Sequence, residues 1–325
     1  AQNVAVRMLD GTSTSTVEKS LRFRSKKNGA RLNISRRDAS FAYFDIAARC
    51  YETYDTVFRS IAPFSGASRR SFPFGGAKID PHELKRKPTV DCRFPETIAP
   101  GKLPWVQPQS ITGGRPLMHV KAQSVDSRLF GTAKKPATTI PHEYAHAVHF
   151  ALLSGTQRWL LAAKYGLWIA GELSKGNAGT HRTDKRTAPL IAYVEAIGIF
   201  SQRYFVFATK VRPDLSGRAL HQAFVDDELS ERPSLRDHLP GYVPITSRAK
   251  NGSIKPRLRG ASTEGAVYGA LFLDLANRLS LAHVVNMYLR CGASDVRGFL
   301  GYADKQRRGS YREDIAAVAS TWRLR

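Results

Sequence analysis

The stretch TTIPHEYAHAVHFALLSG, residues 138–155, contains the pattern H-E-x-x-H at His142, Glu143 and His146. The two histidines lie one helical turn apart, so on a helix they share a face and both imidazoles can reach one metal ion. The stretch also carries the signals of a helix, with threonine as an N-cap, Pro141 in the first turn and a glycine at the end. It therefore predicts a buried helix that presents a zinc site.

The glutamate of the pattern has a different expected role from the histidines. Glu143 projects about 100° round the helix from His142, where it can reach a metal-activated water without binding the metal. That position is typical of a general base. The alternative is a structural helix whose histidines hydrogen-bond to backbone groups. Burying two histidines and a glutamate without partners is costly, which favours the metal site.

A third protein ligand is expected further along the chain. Residues 188–210 predict a long apolar helix with one acid in its core, Glu195. A buried acid needs a partner, and a metal ion would supply one, so Glu195 is the predicted third ligand. The alternative is a salt bridge to an arginine. Glu264, which opens the apolar segment 262–275, competes for the role, but a glutamate there also suits the positive end of a helix.

Further side chains on these helices are expected near the metal. His149 lies on the ligand face one turn beyond the second histidine, where it could contact the ligands, belong to the core or act as an extra ligand. Glu264 is expected beside the ligands. Tyr268, one turn after it, is the expected catalytic tyrosine that donates to the developing oxyanion. His181 and Tyr193 are the alternative donors.

The composition is strongly basic. Fifty Lys and Arg against 27 Asp and Glu give a net charge of +23. This balance indicates an acidic partner, such as nucleic acid, an acidic protein surface or an acidic substrate, although a solvated basic surface is the alternative. Within residues 1–37 an anion contact is predicted, with a solvated strand pair as the alternative. The anion-binding candidates there are Arg22, Arg24, Lys26, Lys27, Arg36 and Arg37.

Several classes of protein find no support in the sequence. Three cysteines are too few for a disulfide framework. No run of about 20 apolar residues predicts a membrane span. Helix-turn-helix and zinc-finger spacings are missing, so sequence-specific reading of nucleic acid is not supported. The chain opens with AQNVAV, and we expect a processed N-terminus, in a secreted protein or in part of a large particle.

The order of elements predicts an α+β chain that is mostly helical, with a zincin-like core and a small edge sheet. Residues 1–110 are predicted as a basic N-terminal region with one long helix, at 38–61, and loops. Residues 111–325 are predicted as the catalytic domain. A strand predicted at 116–124 precedes the metal helix, and its exposed edge could hold an extended peptide.

The order of HEYAHAVHF, the helix with Glu195 and STEGAVYGALFLDL resembles the gluzincin class of zinc metallopeptidases. It is most similar to bacterial secreted-type members with an HEYGHxVH helix, a later glutamate ligand and an E-G-x-V-x-x-x-L-W-D-L-like helix. The similarity covers roughly residues 140–290. It implies Zn²⁺ held by His142, His146 and Glu195, with Glu143 as general base.

Two functions follow as expectations. The first is a zinc metallopeptidase that hydrolyses peptide bonds with a metal-activated water and a glutamate base. The second is a structural component of a large nucleoprotein or virion-like assembly that keeps a peptidase fold, active or inactive, and binds nucleic acid or an acidic partner. Metal-dependent cleavage would favour the first, and salt-sensitive nucleic-acid binding without proteolysis would favour the second.

Overall fold

A computed structural model describes most of the helical part of the chain. The described residues are 6–10, 41–59, 90–94, 105–107, 117–119, 139–174, 189–230, 246–248, 254–256 and 264–322. Helices dominate these residues, which confirms the prediction of a mostly helical chain. A zincin-like arrangement of the elements stays a prediction.

The helices follow one another with short extensions. In chain order they are α1 Phe41–Thr53, α2 Thr139–Leu152, α3 Gly155–Ser174, α4 Pro189–Val206, α5 Gly217–Ser230, α6 Glu264–Tyr268, α7 Leu281–Cys291, α8 Val296–Lys305 and α9 Arg312–Thr321. A π-helical segment extends three of them: Tyr54–Arg59 follows α1, Phe207–Val211 follows α4 and Gly269–Leu275 follows α6. A final turn, Ala276–Leu279, completes the α6 extension, and a 3-10 turn, Gln306–Gly309, follows α8.

The described strands are short and form two sheets. They are β1 Val6–Asp10, β2 Val90–Phe94, β3 Trp105–Gln107, β4 Leu117–His119, β5 Thr246–Arg248 and β6 Ile254–Pro256. The larger sheet has the order β1-β2-β4-β3, and β5 pairs with β6. Within the larger sheet β1, β2 and β4 run parallel, with β3 antiparallel to β4.

The strand predicted at 116–124 is present as β4, but its position corrects one expectation. Its residues pair with β2 on one side and with β3 on the other, through Met118 opposite Cys92 and Val106. The expectation that its exposed edge holds a peptide is therefore wrong, because both edges of its backbone are already paired. Among the described strands, β1 and β3 lie at the ends of the sheet.

The elements before and after the predicted boundary at residue 110 contact one another. Strands β1 and β2 precede it and β4 follows it, and all belong to one sheet. Helix α1 also packs against α2. The predicted division into 1–110 and 111–325 stays a prediction, and the metal-helix segment is supported by elements from both parts.

Helix α4 lies at the centre of the core. It packs against α2 on one side and against α6 on another. Its side chains are apolar on nearly every face, so it must be buried all round, and Phe200 stacks on Phe272 of the α6 extension with ring centroids 4.7 Å apart. With its extension, Pro189–Val211 is long and apolar enough to cross a membrane, but 67% of the apolar window is buried inside the protein.

Candidate metal centre

The packing of α2 on α4 positions the H-E-x-x-H residues. Helix α2 begins at Thr139 and has Pro141 in its first turn, as its sequence predicts. The hydroxyl of Ser201 on α4 donates a buried hydrogen bond of 2.8 Å to the Pro141 carbonyl. Because the N–H groups at a helix start have no partners within the helix, its first turn often depends on such neighbours for its position. This bond holds the start of α2, and hence His142, at a fixed place on α4.

The structure brings His142, His146 and Glu195 together. The Glu195 Oε2 atom lies 3.0 Å from His142 Nε2 and 3.7 Å from His146 Nε2. The two imidazole rings meet edge to face, with centroids 4.9 Å apart. All three potential ligand atoms lie within 4.8 Å of one another, so the group could hold a metal ion.

The donor set fits a tetrahedral zinc site. Ligand bonds of about 2.0–2.1 Å in a tetrahedral arrangement place neighbouring ligand atoms about 3.3 Å apart. The two nitrogen–oxygen distances, 3.0 and 3.7 Å, lie on either side of that value. The side chain of His142 is 19% exposed and that of Glu195 is 15% exposed, whereas His146 is nearly buried at 6%. Solvent and a small ligand therefore approach from the His142 and Glu195 side.

A glycine on α4 makes room for the first histidine. A Cβ atom at Gly198 would lie 2.6 Å from Nε2 and 2.7 Å from Cε1 of His142. Those distances are far inside van der Waals contact, so any side chain at this position would displace the imidazole. Gly198 was missed by the sequence reasoning. Its only sequence signal is its spacing, three residues after Glu195 on the same helix face.

The charges of the three side chains stabilise one another. Burial alone would lower the pKa of His142, but the hydrogen bond and charge of Glu195, with the charges of Glu143 and Glu264, raise that pKa to about 9. Burial also opposes ionisation of Glu195, yet the neighbouring histidines hold its pKa well below the usual range. The pocket therefore favours a cation between an ionised carboxylate and two imidazoles, which is the condition a bound metal ion satisfies.

The predicted general base is buried beside this group. Glu143 is 8% exposed. Burial, opposed in part by the charge of His142 and assisted by that of Glu195, raises the pKa of the Glu143 carboxyl to about 8. A carboxyl with a pKa near neutrality can accept a proton and release it again, and such groups gather at functional sites.

Glu264 does not join the ligand group, although it lies close enough to act on its charges. The group of potential ligands contains Glu195 and not Glu264. Glu264 is 5% exposed, and its Oε1 atom makes no hydrogen bond in the described part of the protein. Burial and the charge of Glu195, opposed by His142, raise the pKa of Glu264 to about 8. The expectation that Glu264 stands beside the ligands agrees with this placement.

The expected catalytic tyrosine belongs to a different network. The hydroxyl of Tyr268 is buried and donates a hydrogen bond of 2.8 Å to Glu228 Oε2 on α5. The same carboxylate accepts bonds of 2.7 and 2.8 Å from Nε of Arg203. The structure therefore does not support the predicted role of Tyr268, because its only proton is committed to a carboxylate outside the His142–His146–Glu195 group.

Another tyrosine stands closer to the centre in electrostatic terms. Burial raises the pKa of Tyr165 on α3, and the charges of Glu195, Glu143 and Glu264 raise it further. Sequence reasoning missed Tyr165, because its helix carries no pattern that points one face toward α4. The alternative donor Tyr193 lies elsewhere, with its hydroxyl 3.0 Å from Cys291 Sγ.

His149 lies in the core beyond the ligands. It is fully buried, with its ring 4.9 Å from that of Tyr288 and 6.4 Å from that of Tyr193. Burial, with a smaller effect of the His146 charge, lowers the pKa of His149 to about 3, so it is neutral. Of the placements expected from the sequence, the core position among aromatic rings matches the observed contacts, and His149 is not in the ligand group.

Some sequence expectations fall outside the described residues. These are His181 and the anion-binding candidates Arg22, Arg24, Lys26, Lys27, Arg36 and Arg37. Comparisons with protein-family models, with curated proteins and with solved structures found no match to the chain. Inference about function therefore depends on the chemistry of the centre.

Proposed function

We propose that the protein is a zinc-dependent peptidase. One observation carries the proposal: His142, His146 and Glu195 converge from two helices, and a fourth buried side chain, Glu143, stands beside them with its pKa near neutrality. Two imidazoles and one carboxylate form a donor set typical of catalytic zinc, which keeps an open position for water or substrate. The partial exposure of His142 and Glu195 supplies that opening.

The roles of the chain's residues follow from this arrangement. His142, His146 and Glu195 would hold the metal, which when bound supplies a nucleophilic water at neutral pH and polarises the scissile carbonyl. Glu143 accepts the proton of the attacking water and passes it to the leaving amine. Tyr165 replaces Tyr268 as the tyrosine proposed to hydrogen-bond the reacting group.

The substrate would lie along the sheet. Both β3 and β4 contact α2, the helix that carries His142 and His146. Strand β3 is antiparallel to its neighbour and lies at the end of the described sheet. An extended peptide that adds to this edge by main-chain hydrogen bonds would pass over the metal helix. This arrangement is the zincin-like feature that the proposal includes.

Metal content and cleavage test the proposal together. The protein is stripped of metal, reconstituted with Zn²⁺, desalted and assayed for bound zinc and for cleavage of a mixed peptide library. We expect about one zinc per chain in the parent and in the exposed-site control Glu313→Gln, but far less in Glu195→Gln. Glu143→Gln should keep its zinc and lose cleavage, because it removes only the proton acceptor.

Two results would contradict the proposal. Zinc binding that survives in Glu195→Gln would remove that residue from the ligands. Zinc-loaded parent protein that cleaves no library peptide would overturn the peptidase assignment. In that case the assembly component becomes the better interpretation, because the net charge of +23 favours an acidic partner. Binding of duplex DNA or RNA that weakens steeply with salt would then support it.

A further inference from the structure

A buried carboxylate beside the metal centre has no assigned task. Glu264 is 5% exposed, and in the described part of the chain its Oε1 atom accepts no hydrogen bond. A buried acceptor without a partner costs free energy, and an ionised one costs more. Such a group persists in a site when a ligand supplies the missing partner.

The packing of α6 places this carboxylate at the centre and not at a remote point of the core. Helix α6, which Glu264 opens, packs against α4, which carries Glu195. The stacked rings of Phe200 and Phe272 fix the two helices against each other. The charge of Glu264 acts on His142, and the charge of Glu195 acts on Glu264. The side chain therefore faces the same pocket as the ligands without being one of them.

Counting charges identifies the missing partner as a cation. A bound Zn²⁺ is balanced by ionised Glu195 and Glu143, so an ionised Glu264 leaves the pocket with one uncompensated negative charge. The nearest candidate on the neighbouring helix, Arg203, is already engaged with Glu228. No arginine or lysine of the described residues forms an ion pair with Glu264. The substrate is the remaining source of the positive charge.

We propose that Glu264 binds a primary ammonium group of the substrate, so that the centre acts on peptides that carry a free amine close to the scissile bond. A primary ammonium is compact and directs its N–H donors freely, which suits a single unpartnered oxygen better than the planar fork of an arginine does. The amine comes either from the peptide N-terminus or from a lysine side chain. The inference rests on the proposed peptidase function, because it takes the metal centre as the place of reaction.

Hydroxamate ligands test the proposal without requiring turnover. A hydroxamate binds zinc directly, so its remaining groups report on the surrounding pocket. Three probes differ only in the amine: L-lysine hydroxamate acetylated on its ε-nitrogen offers the α-amine, the α-acetylated form offers the ε-amine, and the doubly acetylated form offers neither. Their dissociation constants are measured by calorimetry on zinc-loaded parent protein, on Glu264→Gln and on the exposed-site control Glu313→Gln. Zinc content and thermal unfolding are checked for each variant.

We expect one or both amine probes to bind the parent and the control about tenfold or more tightly than the doubly acetylated probe. Glu264→Gln, which keeps the shape and removes the charge, should bind all three alike. The better amine probe identifies the source, with the α-amine indicating an N-terminus and the ε-amine indicating lysine. Equal binding of all probes by the parent, or an amine preference that persists in Glu264→Gln, overturns the proposal.

The same experiment separates this proposal from the one on which it rests. If the doubly acetylated probe binds zinc-loaded protein but the amines add nothing, only the ammonium site is lost and the metal centre stands. If no probe binds, or if the protein takes up no zinc, the metal centre itself is wrong and the ammonium site falls with it. If Glu264→Gln has unfolded, Glu264→Asp, which keeps the charge but shortens the reach, is measured in its place. A full amine preference in folded Glu264→Asp counts for the proposal, and its loss counts against the assigned geometry.

Discussion

Gly198 faces the imidazole of His142 so closely that a Cβ atom at position 198 would lie 2.6 Å from Nε2. The residue stands one turn after Glu195, and both project from α4 toward α2. Helix α4 therefore supplies both a ligand and the space in which another ligand sits. The relationship shows that the centre depends on close approach of two backbones, and not only on the three side chains that converge there.

Replacing this glycine should damage the centre while leaving the fold in place. In Gly198→Ala the new methyl group displaces the His142 ring, because the helix backbone behind it cannot retreat from a packed core. We expect zinc affinity to fall about ten- to a hundredfold, the range found when groups that orient metal ligands are altered. Competition with a chelator of known affinity measures this change.

A matched variant controls for the helical effect of the substitution. Gly166 lies within α3 and has nothing within 4 Å of a built Cβ. Gly166→Ala should stabilise the fold by up to about 1 kcal/mol, since alanine is the better helix former, and should leave zinc affinity unchanged. Parent-like zinc affinity in Gly198→Ala would show that His142 does not bind the metal from its place against Gly198.

The features that could be predicted from the sequence are those that depend on local chemistry. The H-E-x-x-H spacing places His142 and His146 on one face of any helix, and the caps and apolar pattern predict that helix. Glu195 could be identified because an acid in an apolar helix needs a partner. Each of these arguments uses residues within a few turns of one another, and the structure places all three side chains together.

The features that could not be predicted depend on contacts between distant parts of the chain. Tyr268 has the right spacing to face the centre, but its hydroxyl goes to Glu228, and only the packing of α5 against the α6 extension brings them together. Strand β4 looks like an edge in sequence, yet β2 and β3 enclose it. Gly198 looks like any other helical glycine until α2 is placed against it.

The network of Tyr268 should contribute to stability and not to metal binding. Tyr268→Phe removes a hydrogen bond to a buried, charged acceptor, which contributes about 1.5–3 kcal/mol to the free energy of unfolding. Chemical denaturation should show that loss, while zinc content and cleavage of library peptides stay within about twofold of the parent. Tyr165→Phe provides the contrast, with reduced cleavage at unchanged stability. A large loss of cleavage in folded Tyr268→Phe would restore Tyr268 to the reaction.

A buried histidine far from the ligands should make the fold acid-sensitive. His221 on α5 is 6% exposed, and burial lowers its pKa to about 4 from an ordinary value near 6.5. Between these two values the unfolded chain binds a proton that the folded chain does not, so stability falls as the pH drops from about 6.5 toward 4. By pH 5 this residue alone accounts for a loss of up to about 2 kcal/mol.

The comparison of variants isolates that contribution from other titrating groups. His221→Gln removes the titration, so its free energy of unfolding should fall less between pH 7 and pH 5 than that of the parent, by about 1–2 kcal/mol. His283→Gln alters an exposed histidine on α7 and should follow the parent curve. Identical pH dependence in the parent and in His221→Gln would mean that His221 titrates normally in the folded protein.

The C-terminal helix should be coupled to the α6 extension through one pair of residues. A Cβ atom at Gly269 would lie 2.6 Å from Cζ2 of Trp322, whose indole nitrogen donates a hydrogen bond to Asp274. Gly269→Ala should therefore lower the free energy of unfolding by about 1–3 kcal/mol, because the indole cannot stay in place. Trp322→Ala should also destabilise the protein, by about 2 kcal/mol or more, since it removes the ring and the hydrogen bond.

The double variant decides whether the two effects have one cause. Once the indole is gone, the alanine methyl meets no obstacle, so Gly269→Ala should cost little in the Trp322→Ala background. The sum of the single losses should exceed the loss in the double variant by at least about 1 kcal/mol. Gly301→Ala on α8, where a Cβ meets nothing within 4 Å, serves as the control and should be additive with Trp322→Ala. Additivity of Gly269→Ala with Trp322→Ala would place the indole away from α6, and the C-terminal helix would then need another explanation for its position.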